Sequence, residues 1–142
     1  MRVTNTNGDS IVVKIIDICP EDKLDLSETA FKKLAPLSAG DIPVSYDFVP
    51  CSVEGNIKYH VKDGSSSWWF AVYVENARIG VKKLEVKSYK SNTYLLMERP
   101  FEDGIVQNFF KIQATSELKT PLSFRLTGTN NEVLTDDDAV RL

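Results

Sequence analysis

The chain has 142 residues, of which 42% are hydrophobic, 10% aromatic and 26% charged, a composition that excludes disordered, collagen-like and disulfide-dense proteins. This length suits one ordinary domain or two small ones, and no apolar run approaches the roughly 18–20 residues of a membrane helix. Lys+Arg 17 against Asp+Glu 20 gives a net charge of −3, and no basic cluster marks a nucleic-acid binder.

The opening Met1–Asn7 contains no apolar core segment, so no secretory leader is expected in the sequence as given. After the turn signal Asn7-Gly8-Asp9, the β-branched run Ser10–Ile16 predicts a buried strand. Asp17–Lys23 predicts a loop, because Pro20 cannot donate to a ladder. Ser27 reads as a helix N-cap with Glu28 in the first turn, and the helix is expected from Glu28 to Ala35, where Pro36 ends it. Ser38–Asp41 is a turn, and Val44, Tyr46 and Phe48 alternate along a further strand. Beyond Cys51 the pattern becomes short strands between turns: Ile57–Val61, Trp68–Val74, Val81–Ser88, Thr93–Met97, Ile105–Ala114 and Leu122–Leu126. Turns fall at Asp63-Gly64, Glu75-Asn76, Lys90-Ser91-Asn92, Glu102-Asp103-Gly104 and Gly128. This spacing predicts an antiparallel sandwich, and Thr135–Asp138 reads as a solvated tail.

Dividing the sequence after Val53 leaves 5 basic and 8 acidic residues in the first part and 12 of each in the second. A neutral second part fits an uncharged ligand better than a polyanion. Two cysteines, Cys19 and Cys51, make no disulfide framework, and count alone leaves them free or paired. His60 is the single histidine, which disfavours a His-rich metal site, and it reads as the polar flank of the strand carrying Ile57, Tyr59 and Val61. No cofactor or metal is expected.

Two constellations carry chemical interest. Asp17 and Asp25 flank the Cys19-Pro20 loop, and paired carboxylates are what acid/base hydrolysis of a glycoside requires. Aspartates also start helices and turns for local hydrogen-bonding reasons. The second is Ser65-Ser66-Ser67-Trp68-Trp69. In a regular strand the two indoles point to opposite faces, with Phe70, Val72 and Val74 on one and Ala71 and Tyr73 on the other. A bulge would instead bring both to one surface, where flat rings suit stacking on uncharged sugars.

These residues resemble the expansins, and specifically the microbial branch. Asp17–Pro20 followed by Leu24-Asp25-Leu26-Ser27 and Ala30-Phe31 is similar to the family's groove loop and its Leu-Asp-Leu-Ser-x-x-Ala-Phe motif. Pro43–Cys51 resembles the last barrel strand, Gly55–Tyr59 and Lys62–Trp69 the opening of the second domain, and Leu122–Thr127 its closing strand. The resemblance implies a mainly β protein in two parts. Residues 1–53 would be the C-terminal half of a double-psi β-barrel, and residues 54–142 an immunoglobulin-like β-sandwich of the family-63 carbohydrate-binding module type. It further implies a secreted, non-hydrolytic wall-loosening protein whose partners are cellulose and cell-wall matrix polysaccharides, with no nucleic acid and no membrane. On that footing Asp25 and Asp17 are groove acids. Trp68 and Trp69 are two of three in-line aromatics that bind cellulose, and Lys62 lies beside them, with both indoles expected to be exposed. Phe101 is the expected third aromatic, while Phe109 and Phe110 are expected in the core.

The sequence departs from the family in two places. Cys19 stands where the family has a tyrosine, and the family's barrel front has no counterpart here. An incomplete barrel exposes edges and apolar interior, so self-association through residues 1–53 is an expectation. The competing readings are a family-45-like glycoside hydrolase acting through Asp25, and a protein-interaction module.

Overall fold

In the computed structural model, which describes every residue except Ile18, Pro20 and Asp103, the chain forms two units, Met1–Ser52 and Val53–Leu142. The predicted loop and turn positions at Ile18, Pro20 and Asp103 therefore lie outside the described residues.

The first unit contains β1 (Arg2–Asn5), β2 (Ser10–Val12), α1 (Glu28–Phe31), a 3-10 turn at Leu37–Ala39 and β3 (Val44–Asp47). Its antiparallel sheet has the order β2-β1-β3, with Val3 opposite Ile11 on one side and Tyr46 on the other. The β1–β2 turn is built around Asn5. Its Oδ1 accepts from the backbone N–H groups of Asn7 (3.0 Å) and Asp9 (2.9 Å), and its Nδ2 donates to the Asp9 carboxylate (3.0 Å) and the Leu34 carbonyl (2.7 Å). A buried amide is thus fully occupied, as burial demands. The predicted strand Ser10–Ile16 shortens to three residues because β2 is an edge, and Ile15 and Ile16 are exposed. The predicted helix also shortens. Ser27 caps it as expected, but Lys33 and Leu34 donate three residues back and tighten the chain into turns. Val3 and Leu34 are the buried hydrophobic residues described in this unit.

The second unit contains β4 (Lys58–Val61), β5 (Trp69–Glu75), β6 (Val81–Lys87), β7 (Leu95–Met97), β8 (Phe101–Glu102), β9 (Ile105–Val106), β10 (Phe110–Gln113), β11 (Leu122–Gly128) and β12 (Val133–Val140). One sheet has the order β10-β5-β4 and the other β12-β11-β6-β7. Period-two patterning explains the layers: Phe70, Val72 and Val74 of β5 meet Leu84 and Val86 of β6 and Leu122, Phe124 and Leu126 of β11 in one core. Tyr59 and Phe124 stack across it with ring centroids 4.5 Å apart.

Two expectations are corrected here. The segment Ile105–Ala114 is not one strand. Ile105–Val106 pairs with β8 in a small hairpin, and only Phe110–Gln113 joins the sandwich. The predicted solvated tail is β12, an edge strand paired along β11. Its aspartates hide it from a hydrophobicity reading, yet they suit an edge with one open side. Asp138 adopts a positive φ of 53°, and its N–H donates to Ser123 Oγ at 3.2 Å where the register shifts. Among the described residues no helix is long and apolar enough to cross a membrane.

Candidate functional site

The serine run before the two tryptophans is a hydrogen-bonded turn. Ser65 N–H closes back on the Lys62 carbonyl (3.1 Å), with Gly64 at φ 83°. Ser65 Oγ accepts from Ala71 N–H and donates to the Ala71 carbonyl, each at 3.1 Å. Ser66 N–H donates to the Trp69 carbonyl (2.7 Å), while its Oγ accepts from the N–H groups of Trp68 (3.2 Å) and Trp69 (3.1 Å). On the other side, the Trp68 carbonyl accepts from Ala114 N–H (2.8 Å) and Gln113 Nε2 (3.2 Å). The backbone carrying both indoles is therefore tied on two flanks. Trp68 precedes the ladder and is 52% exposed; Trp69 opens β5 and is half-buried. The indoles are not equivalent, as a single shared bulged surface would have made them.

Strand register extends this region along the outer face of the first sheet. Opposed residues share a face, so Trp69 lies with Gln113, Ala71 with Lys111, and Tyr73 with His60. The Lys62 backbone bonds Ala71, which sets Lys62 beside that middle rung. Phe109 and His60 each meet the Tyr73 ring edge-on, at centroid distances of 5.7 Å and 5.9 Å. Lys62 Nζ sits 5.4 Å from the centre of the Phe109 ring, a cation–π contact. Lys111 Nζ lies 3.6 Å from Glu98 and 3.9 Å from Glu102. The face thus alternates aromatic and cationic rungs, with acid groups balancing Lys111 at the β10 edge.

The structure gathers Lys62, Trp68 and Trp69 at one end of the sandwich. Phe101 is 69% exposed on the β8–β9 hairpin, opposite Val106, and Glu102 of that hairpin reaches Lys111. Phe109 and Phe110 are both buried as expected; Phe110 belongs to the main core cluster, whereas Phe109 packs outside it, beneath Lys62 and against Tyr73. Tyr73 shares the Trp69 face, as alternation indicated. Cross-strand register, which the sequence does not display, brings His60 to it, and the Phe109 ring joins through its edge contact with Tyr73. Asp17 and Asp25 both lie exposed in the first unit, and Cys19 and Cys51 are free thiols. Among the described residues no three His, Cys, Asp or Glu side chains group as a metal ion requires.

Comparison with known proteins agrees with this architecture. Residues 57–140 match the family model described as the expansin C-terminal domain, and residues 1–46 match a double-psi β-barrel model described as lytic transglycolase. Expansin-like protein 3 of Dictyostelium discoideum is 33% identical over 102 residues, covering 66% of this chain and 30% of that protein. Expansin-YoaJ of Bacillus subtilis is 36% identical over 90 residues, covering 61% of this chain and 38% of that protein. A mutant Clavibacter michiganensis expansin, solved in complex with cellohexaose, superposes with a TM-score of 0.77 at 26% identity, covering 99% of this chain and 66% of that one. Fold and matches together define a mainly β protein in which a partial double-psi β-barrel is followed by an immunoglobulin-like sandwich. The chain belongs to the expansin family. It spans well under half the length of these two curated relatives.

Proposed function

We propose that the chain binds cellulose and related neutral wall polysaccharides through the Trp68–Trp69 end of its sandwich. As part of a secreted, non-hydrolytic wall-loosening protein, it would separate glycan chains without cutting them. The observation that carries this reading is the exposed Trp68 beside the half-buried Trp69 on a strand start fixed by Ser66. Indole faces desolvate the C–H faces of pyranose rings at little entropic cost, because the turn already holds their backbone. The balanced charge of the second unit adds no repulsion or attraction for a neutral polymer. Lys62 and the exposed Phe101 are assigned to the rim of this surface. Asp17 and Asp25 are assigned to hydrogen bonding with glycan hydroxyls in the barrel unit.

The test is retention on crystalline cellulose at moderate salt. The Trp68→Ala/Trp69→Ala variant is expected to lose affinity at least tenfold, about 1.4 kcal/mol or more; undiminished retention would sink the stacking mechanism. The match of residues 1–46 to the lytic transglycolase model favours a second reading, glycan cleavage through Asp25 with Asp17 as its partner. Release of soluble fragments from glucan that disappears in Asp25→Asn would replace the first reading with that one.

A further inference from the structure

At the opposite end of the sandwich lies a cleft of about 520 Å³, within the roughly 300–1,000 Å³ usual for small-molecule sites. The β5 strand separates it from Trp69 by seven residues, about 20 Å at ~3.3 Å per residue. Its walls are the segment before β4, the β5–β6 turn, and the β11–β12 hairpin.

Hydrogen bonds fix these walls in place. Asn76, at φ 56°, donates from Nδ2 to the carbonyls of Glu54 (2.7 Å) and Asn56 (2.9 Å). Across the cleft, Arg78 bonds Glu132 at 3.2 Å, Asn130 Nδ2 also reaches Glu132 at 3.2 Å, and Asn130 Oδ1 accepts from Glu132 N–H at 3.1 Å. Thr129 N–H donates to the Gly80 carbonyl at 2.8 Å. The site is formed before any ligand arrives, so little ordering entropy remains to be spent on binding.

The lining chemistry selects a ligand class. Ile57, Ile79, Leu126 and Leu134 are its aliphatic lining residues, and Asn56, Asn130 and Asp136 are among its polar ones. Arg78 is neutralised by Glu132. Asp136 is then the one lining carboxylate without a basic partner among the described residues. Beside it, the Tyr59 hydroxyl is buried without completing a hydrogen bond, and burial together with Asp136 pushes the phenol upward. Amides donate and accept at once, as a sugar hydroxyl does, and an aliphatic wall suits the C–H face of a pyranose. A cleft bounded by turns accepts a chain end or side branch, where the exposed indoles at the far end suit an extended surface.

We infer that this cleft is a second glycan site, taking a terminal or branching neutral sugar of a soluble matrix polysaccharide. One sandwich would then hold two polysaccharides at once, about 20 Å apart along β5. The inference does not depend on stacking at Trp68 and Trp69.

The experiment is an NMR titration of the full chain carrying Trp68→Ala/Trp69→Ala, with xyloglucan heptasaccharide, cellotetraose, mannotetraose and spermidine as probes. At least one neutral oligosaccharide is expected to shift the side-chain amides of Asn56 and Asn130 and the backbone of Thr135 and Asp136. Adding Asn56→Ala or Asp136→Asn should weaken that binding about tenfold or more with the remaining spectrum unchanged. Asn56 lies outside the strands, so its variant keeps the fold. Shifts produced by spermidine alone, or by none of the four probes, would overturn the inference. Failure here leaves retention by the intact indole pair unaffected, and loss of that retention leaves these shifts in place.

Discussion

Glu85 shows how a single buried carboxylate can be made to favour folding. It lies nearly buried on β6, where Arg125 of β11 grips it with two bonds of 2.8 Å and 2.6 Å and Lys83 approaches at 3.0 Å. The Arg125 bonds chiefly hold its pKa at about 2 rather than 4.5, against the opposing effect of burial. A lowered folded pKa means its stabilisation is complete above about pH 4.5 and is lost as pH falls toward 2. Removing the charge leaves the guanidinium without its bidentate partner, so Glu85→Gln is expected to cost about 1–3 kcal/mol at neutral pH. The same variant should flatten the acid limb of stability between those two pH values. Urea titrations at pH 2.5 and pH 7 check this; an equal loss at both would show that the ion pair is not the source. Arg125 also lies over the Tyr94 ring at 4.4 Å, so charge and aromatic packing are joined at one strand crossing.

At the scale of elements, the turn before β5 sets the geometry of the candidate surface. Ser66→Ala deletes the acceptor for two backbone N–H groups. It is expected to lower stability by about 0.5–1.5 kcal/mol and to weaken cellulose retention through looser indoles. Stability lost with affinity unchanged would show that the turn does not position them. This turn also shows what could be read in advance. Alternation announced the Phe70–Val72–Val74 core face, whereas the serines before the paired tryptophans left a regular and a bulged strand start both open. The β8–β9 hairpin was hidden because Ile105 and Val106 look like strand residues without revealing their partner, Phe101–Glu102. Strand β12 was hidden because its aspartates suppress the apolar alternation by which strands are recognised. Of the candidate site, Trp68 and Trp69 were legible as a motif, and Lys62 entered only through the resemblance to the expansins. His60 reaches the same sheet face through pairing with β5, and Phe109 through its ring contact with Tyr73, which is information no single segment contains.

Across the whole molecule, the two units differ in what they bury. The second has a continuous core from Phe70 to Val140, whereas the first buries Val3 and Leu34 and exposes Val12, Ile15, Ile16, Tyr46 and Phe48. A unit of that size with so little apolar burial is marginal on its own. Limited trypsin digestion should therefore cut first at Lys14, Lys23 and Lys33 and leave a resistant fragment that starts near Leu34 and carries the whole second unit. Calorimetry should show the first unit melting in a separate, smaller transition. One cooperative transition with uniform protease resistance would mean that the exposed residues of the first unit are covered in solution, by a second copy or by another polypeptide.

The open edge of β12 bears on how such molecules would behave when crowded on a solid. Eight residues of strand with one side unpaired among the described residues form a template for lateral zippering. Adsorption raises local density, and a film of edge-joined copies would be immobile. The exposed Asp137 and Asp138, together with the kink at Asp138, oppose that joining. Each adsorbed molecule would then remain a separate particle, free to diffuse over the surface and visit one glycan contact after another.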